Sequence, residues 1–229
     1  MHTMTQRCRI ALINPNTNTE TTRMMQGIAR QALPRSNAVM LEGRTVPLGQ
    51  DLIADERALE AAALVVQEYG VCVAAEGFDA LIISAFGDPG LTALRDELDI
   101  PVTGIAEAGI AEAAADGRPY AIVTTTPALR ESLHSTAARY GYAASLVSIR
   151  MTEGDAAHTM QDAERMTRAL LESCRQAIDI DGAEAIVIGG GPLASAAQVI
   201  AGQLNVPVIE PIPAAVRLTL QRCRRFVLR

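Results

Sequence analysis

The stretch that decides the fold is "FDALIISAFGDPG" (78–90), because a second stretch, "AEAIVIGGGPLA" (183–194), repeats its pattern. In both, a short apolar run, 80–83 or 185–188, ends in small residues and a proline. Continuous apolar runs of this length, bounded by glycine and proline, are typical of the buried strands of a parallel sheet. A helical pattern follows each stretch, so the sequence predicts a strand, turn and helix unit that occurs twice.

The repeat extends on both sides of these two stretches. "IALINPN" (10–16) matches "YAIVTTT" (120–126), and "IPV" (100–102) matches "VPV" (206–208). A recurring unit of this length predicts an α/β protein with two pseudo-symmetric parallel-sheet domains that carry helices on both faces. We assign 1–110 to the N-terminal half, joined by the C-terminal helix 211–229, and 111–210 to the C-terminal half.

Parallel sheets bind ligands beyond the carboxyl ends of their strands. We therefore expect the matching strand ends of the two halves to face one interdomain cleft. Short amides there have both donor and acceptor capacity, and glycine lets the backbone approach a ligand closely. The residues predicted to bind a substrate are Asn14, Pro15, Asn16, Ser84, Ala85, Phe86, Gly87, Thr124, Thr125, Thr126, Gly189, Gly190, Gly191 and Pro192.

Composition excludes several classes of function. The net charge is −6 and the only basic run is the short tail 222–229, so we expect no nucleic-acid partner. No uninterrupted apolar stretch reaches the length of a membrane span, which predicts no membrane association and a cytoplasmic location. The four cysteines are widely spaced without a CxxC pair, so we expect buried thiols rather than a zinc site or a disulfide framework.

The chain contains no lysine, since all 20 basic residues are arginine. A Schiff base to pyridoxal phosphate or to a carbonyl substrate cannot form without a lysine. His2, His134 and His158 lie in stretches that read as a terminus, a helix or surface loop, which disfavours a histidine triad or a metal site. We therefore expect no pyridoxal phosphate and no metal.

Five segments in this order resemble one known family. They are "INPNTN" (13–18), "AFGDPGL" (85–91), "IPVTGIAEA" (100–108), "IVTTTPALR" (122–130) and "VPVIEPIPAAV" (206–216). Together they are similar to the aspartate/glutamate/hydantoin racemase superfamily, most like its hydantoin and allantoin racemase branch, over about 9–220 of this chain. The resemblance implies two pseudo-symmetric α/β domains with a small substrate between them. It also implies cofactor-independent racemisation, in which one cysteine on each domain exchanges the proton at the carbon beside a carbonyl.

The chain departs from the family at both cysteine positions, which fall at Ala85 and Gly190. Neither a methyl group nor a hydrogen atom can exchange a proton. The resemblance therefore implies a racemase or isomerase acting on a small hydantoin-like or carboxylate substrate without thiols. The alternatives are a lyase, decarboxylase or hydrolase on the same scaffold, a catalytically inactive ligand binder, and a form whose cysteines have been replaced.

Three carboxylates are candidates for the missing acid and base. Glu107 and Glu210 follow the "IPV" and "VPV" segments at apparently matching positions, which would place one carboxylate on each half. Asp88 precedes Pro89, so it fits either a base or the N-cap of the following helix. The helical segment "DERALEAAALVVQEYG" (55–70) carries an apolar stripe that fits a core or an interface. We expect a homo-oligomer.

Overall fold

A computed structural model describes residues 7–35, 38–153 and 161–227 of the chain. The described residues form two four-stranded sheets, and every strand pairing within them is parallel. Helices cover both faces of each sheet. Alternate residues of the central strands accordingly pack into different hydrophobic clusters. The predicted α/β fold class is confirmed.

The two sheets have the same strand order. The first runs β2-β1-β3-β4, with β1 Cys8–Asn14, β2 Val39–Thr45, β3 Ala80–Ile83 and β4 Val102–Gly104. The second runs β6-β5-β7-β8, with β5 Tyr120–Thr124, β6 Leu146–Met151, β7 Ala185–Ile188 and β8 Val208–Ile209. The edge strands β2 and β6 are not among the strands the sequence predicts. Both are only partly buried, so polar residues interrupt their apolar pattern.

Eight α-helices connect the strands within the described residues. The N-terminal half contains α1 Thr19–Gln31, α2 Glu56–Ala75, α3 Leu91–Glu97 and α4 Ile105–Ala113. The strands β5, β6, β7 and β8 are followed in turn by α5 Arg130–Arg139, α6 Ala163–Asp179, α7 Ala194–Ala201 and α8 Pro211–Val227. The largest hydrophobic cluster includes residues of both sheets, such as Ile10, Ile82, Ile122 and Val187, so the two halves share a core.

The C-terminal helix α8 returns to the first half, where it contacts α1, α4, β3 and β4. The guanidinium of Arg222 donates to the carbonyl of Val102 at 3.1 Å and to Glu107 Oε1 at 2.7 Å. The boundary predicted at 110 falls inside α4, and the division into 1–110 and 111–210 stays a prediction.

One described helix, α2, has the length and apolar composition of a membrane span. Its Ala58, Ala62, Val66, Gly70 and Val73 are buried, and the helix contacts β1, β3 and α3. Helices that cover a sheet commonly pass the same test of length and hydropathy. The burial of this face accounts for part of the apolar character of α2, whereas Leu64 on its outer face is 72% exposed.

Candidate active site

A cavity lies where the carboxyl ends of the central strands of both sheets meet. Its interior has a volume of about 50 Å³, which is smaller than the roughly 300–1,000 Å³ typical of small-molecule sites. Its lining comes from the turns after β1, β3, β5 and β7, and from the segments around α2 and α5. The residues that line it are Asn16, Leu52, Ile53, Leu59, Ser84, Ala85, Phe86, Thr124, Thr125, Thr126, Leu129, Leu133, Gly189, Gly190, Gly191, Pro192 and Leu193.

Most of the residues predicted to bind a substrate line this cavity, but Asn14, Pro15 and Gly87 do not. The Asn14 amide lies behind the cavity, where its Nδ2 donates to Asn16 Oδ1 at 2.8 Å and to Thr22 Oγ1 at 2.9 Å. Asn16 Oδ1 also accepts from the backbone N–H of Asn18 at 3.0 Å. Asn14 therefore orients the side chain of Asn16, whose Oδ1 accepts both of these hydrogen bonds. The Asn16 Nδ2 donates to no described residue.

Hydroxyl groups form the polar part of the lining. Thr124 Oγ1 and Thr126 Oγ1 lie 3.3 Å apart, and both residues are buried. Ser84 is buried too, and its hydroxyl donates to Met25 Sδ at 3.1 Å, a weak acceptor. No ionisable side chain is among the lining residues within the described part of the chain. The cavity can thus donate hydrogen bonds but carries no group that is a base near neutral pH.

The turns after β3 and β7, which we name turn 84–87 and turn 189–192, touch each other at the cavity. A Cβ added to Gly189 would lie 3.0 Å from Phe86 Cδ1, and one added to Gly191 would lie 3.0 Å from the Ser84 carbonyl oxygen. The glycines of the second turn therefore allow the turns to approach closely.

Ala85 and Gly190, where the resemblance implies the family's cysteines, lie in these turns. The β3 and β7 registers make Ile83 and Ile188 equivalent, so Ala85 and Gly190 occupy corresponding places two residues later. Gly190 has φ +155, and a Cβ there would lie 3.1 Å from Leu193. No described residue accepts a hydrogen bond from the N–H of Ala85, Phe86 or Gly190. These donors are available to a ligand, as in an oxyanion hole.

None of the three candidate carboxylates lines the cavity. Val102 pairs with Leu81, and Val208 pairs with Ile186, which holds the place of Leu81 in the second sheet. Val102 and Val208 are therefore equivalent, so the expected match between Glu107 and Glu210 is wrong. By this register Glu210 corresponds to residue 104, and Glu107 to residue 213. The two glutamates are therefore not related by the pseudo-symmetry.

The carboxylate of Glu107 is held by two arginines, Arg95 at 2.6 Å and Arg222 at 2.7 Å. Burial acts to raise the pKa of Glu107, but the hydrogen bonds from these arginines outweigh it and hold the pKa below its usual value. Glu210 Oε2 is buried without a partner among the described residues, and burial raises the pKa of Glu210. Glu107 thus has the environment of a structural ion pair.

Asp88 caps a different helix from the one expected. The helix after Pro89, α3, has Gly90 at its N-cap position and no side-chain hydrogen bond to its first turn. The Asp88 carboxylate instead accepts from the N–H groups of Ala106 at 2.9 Å and Glu107 at 2.7 Å, in the first turn of α4. The sequence could not show this contact, since it joins positions 18 and 19 residues apart.

Sequence reasoning missed the apolar side of the cavity: Leu52, Ile53, Leu59, Leu129, Leu133 and Leu193. Leu52 and Ile53 lie in the loop between β2 and α2, and β2 was not predicted. Leu59 and Leu133 lie on α2 and α5, where helical periodicity marks them only as core. The pseudo-symmetric strand ends and the family resemblance pointed to this region.

None of the histidines and cysteines that the structure describes is among the lining residues. His134 is exposed, and His2 and His158 lie outside the described residues. All four cysteines are free: Cys174 is buried, Cys8 and Cys223 are partly buried, and Cys72 is exposed. The expectation of buried thiols is therefore wrong for Cys72, and none of the four lines the cavity.

Comparison with known proteins agrees with the resemblance. Residues 10–219 match the Asp/Glu/Hydantoin racemase family. A hydantoin racemase of Paenarthrobacter aurescens is 30% identical over 212 residues, which are 92% of this chain and 89% of the relative. The structure of an allantoin racemase from Klebsiella pneumoniae superposes with a TM-score of 0.86 at 30% identity, covering 93% of this chain and 86% of that one.

Allantoin racemase from Pseudomonas fluorescens superposes with a TM-score of 0.88 at 26% identity, covering 95% of this chain and 92% of that one. The shared architecture extends through both sheets and the helices around them. This chain therefore belongs to the Asp/Glu/hydantoin racemase family.

Proposed function

We propose that this chain is a cofactor-independent racemase that exchanges the hydrogen on the carbon beside a carbonyl of a small hydantoin-like ring, without a thiol. One observation carries the proposal. At the place where the two pseudo-symmetric turns meet, the cavity is lined by residues 85, 86 and 190, whose backbone N–H groups donate to no described residue, and by hydroxyl-bearing and apolar side chains, with no ionisable group among the described lining residues.

Such a lining stabilises an enolate. Removal of the ring C–H proton places negative charge on the neighbouring carbonyl oxygen, and fixed donors aimed at that oxygen lower the barrier. Ala85 N–H, Phe86 N–H and Gly190 N–H are available donors, and the hydroxyls of Thr124 and Thr126 lie beside them. The protein thus supplies charge stabilisation rather than a base.

Water or hydroxide would then carry the proton. The cavity is open to solvent, so hydroxide can remove the C–H proton as water, and water can return a proton to either face of the planar enolate. Return to the opposite face inverts the centre. The net reaction consumes nothing and requires no cofactor.

The lining favours a neutral ring with an apolar substituent over a carboxylate substrate. No arginine lines the cavity within the described residues, so an aspartate or malonate carboxylate would be desolvated without a cationic partner. Six leucine and isoleucine side chains border the polar turns. The hydantoin racemase and allantoin racemase names of the relatives agree with a ring substrate.

Proton NMR in deuterated water tests the proposal directly. The panel is a 5-alkylhydantoin, allantoin, aspartate, glutamate and an arylmalonate, each incubated with the unaltered protein. We expect the hydantoin to lose its C5–H signal while its concentration stays constant. Product formation would instead establish a lyase, decarboxylase or hydrolase, and saturable binding with neither change would establish a binder.

Two further predictions from the sequence stand beside this proposal. We propose a homo-oligomer, because α2 leaves Leu64 72% and Val71 37% exposed on its outer face. The cytoplasmic location that the sequence predicts also stays a proposal.

A further inference from the structure

Asp88 is a fully buried carboxylate that follows turn 84–87 without lining the cavity. Three donors point at it: the N–H groups of Ala106 and Glu107, and the hydroxyl of Tyr140 at 2.6 Å from Oδ2. Buried carboxylates are costly unless they are hydrogen-bonded in this way. The mechanism described above uses none of these groups.

The backbone at this point is in an unusual conformation. Asp88 has φ +51, in the left-handed region that few residues other than glycine adopt, and Gly87 before it has φ +135. The N–H of Asp88 donates to the Ala85 carbonyl at 3.0 Å, which closes turn 84–87. A strained backbone conformation persists only where other contacts stabilise it. Here those contacts are the hydrogen bonds to the Asp88 side chain.

The hydroxyl bond joins the two halves of the protein. Tyr140 directly follows α5, whose Leu133 lines the cavity and is preceded by the lining residue Leu129. Asp88 directly follows the turn that contributes Ser84, Ala85 and Phe86 to the cavity. The Asp88 to Tyr140 bond therefore connects two elements that line the cavity from different sheets.

We propose that Asp88 is a positioning residue, which fixes turn 84–87 on the first turn of α4 and, through Tyr140, at a set distance from α5. Its effect on substrate affinity rests on the proposed function, whereas its effect on the turn does not. With the bond intact, the N–H donors of residues 85 and 86 face the opposing turn in one arrangement. Without it, several arrangements are populated and fewer of them bind.

The variant that tests this role is Tyr140→Phe, which removes one hydroxyl and keeps the ring. Tyr120→Phe is the matched control, because the Tyr120 hydroxyl donates to the Tyr142 carbonyl at 3.3 Å and so bonds within one half. Two measurements are made on each full-length variant. The first is amide hydrogen exchange of the segment 84–90, and the second is the Kd of 5,5-dimethylhydantoin, a probe that has no exchangeable C5–H.

We expect Y140F to exchange the 84–90 amides faster than the wild type and to raise the Kd about tenfold or more, the loss typical of one hydrogen bond to a charged group. Y120F should leave both unchanged. Equal protection of 84–90 in Y140F and the wild type would overturn the positioning role, as would an equal effect of Y120F. If the wild type fails to bind the probe, the proposed function fails, and amide exchange still decides the role of Asp88.

Discussion

Gly104 provides the space that the Asp88 carboxylate fills: a Cβ on residue 104 would lie 2.1 Å from Asp88 Cγ. Gly104 itself has φ −92 and ψ 147, which any residue adopts. Glycine is therefore required at 104 by the neighbouring carboxylate and not by the backbone.

Gly104→Ala should displace Asp88 and lower the free energy of unfolding by at least about 2 kcal/mol, the cost of overpacking combined with a disturbed buried charge. Gly27→Ala in α1 is the matched control, because no atom lies within 4 Å of its Cβ position. Urea denaturation measures both variants. A neutral G104A would contradict the close contact.

The same contact makes G104A and Asp88→Ala non-additive. Once the carboxylate is gone, a methyl group at 104 meets no Cγ or Oδ atom, so G104A should cost less in the D88A background than in the wild type. A double-mutant cycle of urea midpoints gives the coupling. Strictly additive effects would show that Gly104 is needed for another reason.

Asp88 should also make stability depend on pH. Desolvation raises the pKa of Asp88 to about 6, although Tyr140, Ala106 and Glu107 donate to it. The folded state then binds a proton more tightly than the unfolded state, so stability is largest below the unfolded pKa and is lost as the pH rises through about 6. A rise in the pKa to about 6 makes this loss at most about 3 kcal/mol.

Asp88→Asn removes this titration, so the difference between the unfolding free energies of D88N and the wild type should change between about pH 4 and pH 6. Glu107 has the opposite sign, since its lowered pKa costs stability as the pH falls, but it is present in both proteins, so the part that does not depend on the Asp88 charge cancels. A constant difference across that window would mean that Asp88 titrates normally.

Glu107→Gln separates a structural role from a catalytic one. Breaking the bonds to Arg95 and Arg222 should lower the free energy of unfolding by about 1–3 kcal/mol, less than for a fully buried pair because the arginines are partly exposed. Glu112→Gln is the control, since Glu112 of α4 pairs with Arg217 of α8 on the surface, and Glu107 and Arg222 join the same two helices. Substrate exchange per folded molecule should be unchanged in both, and a tenfold loss in E107Q alone would identify Glu107 as catalytic.

Asn16→Asp tests the charge of the cavity. The substitution keeps the Oδ1 that accepts from Asn14 and Asn18 but adds a negative charge where an enolate forms. Exchange of the hydantoin C5–H should fall by about tenfold or more, because like charges in a desolvated site repel. Asn18→Asp, at the N-cap of α1, should be neutral or mildly stabilising. Equal rates for N16D and the wild type would place the developing charge elsewhere.

The central strands could be predicted because they are buried on both faces. Their apolar runs, such as 80–83 and 185–188, also locate the turns where the two halves meet. The edge strands β2 and β6 could not be predicted, because their sequences, "VMLEGRT" and "LVSIRM", mix exposed and buried positions without strict alternation.

The candidate site was predicted where it follows from strand ends, and missed where it depends on tertiary contact. Asn14 looked equivalent to Asn16, yet it orients Asn16 from behind. Asp88 looked like a cap for the next helix, yet it caps α4. Both errors have one cause, because a short polar side chain bonds to whatever donor the fold brings near it.

The most direct test of a thiol-independent racemase uses a variant in which Cys8, Cys72, Cys174 and Cys223 are all replaced by alanine. The measurement is the rate at which this variant exchanges the C5–H of a 5-alkylhydantoin in deuterated water. The account predicts saturable exchange at the wild-type rate, inhibited by 5,5-dimethylhydantoin and rising with hydroxide concentration. Exchange no faster than in buffer, by this variant and by the wild type alike, would contradict it.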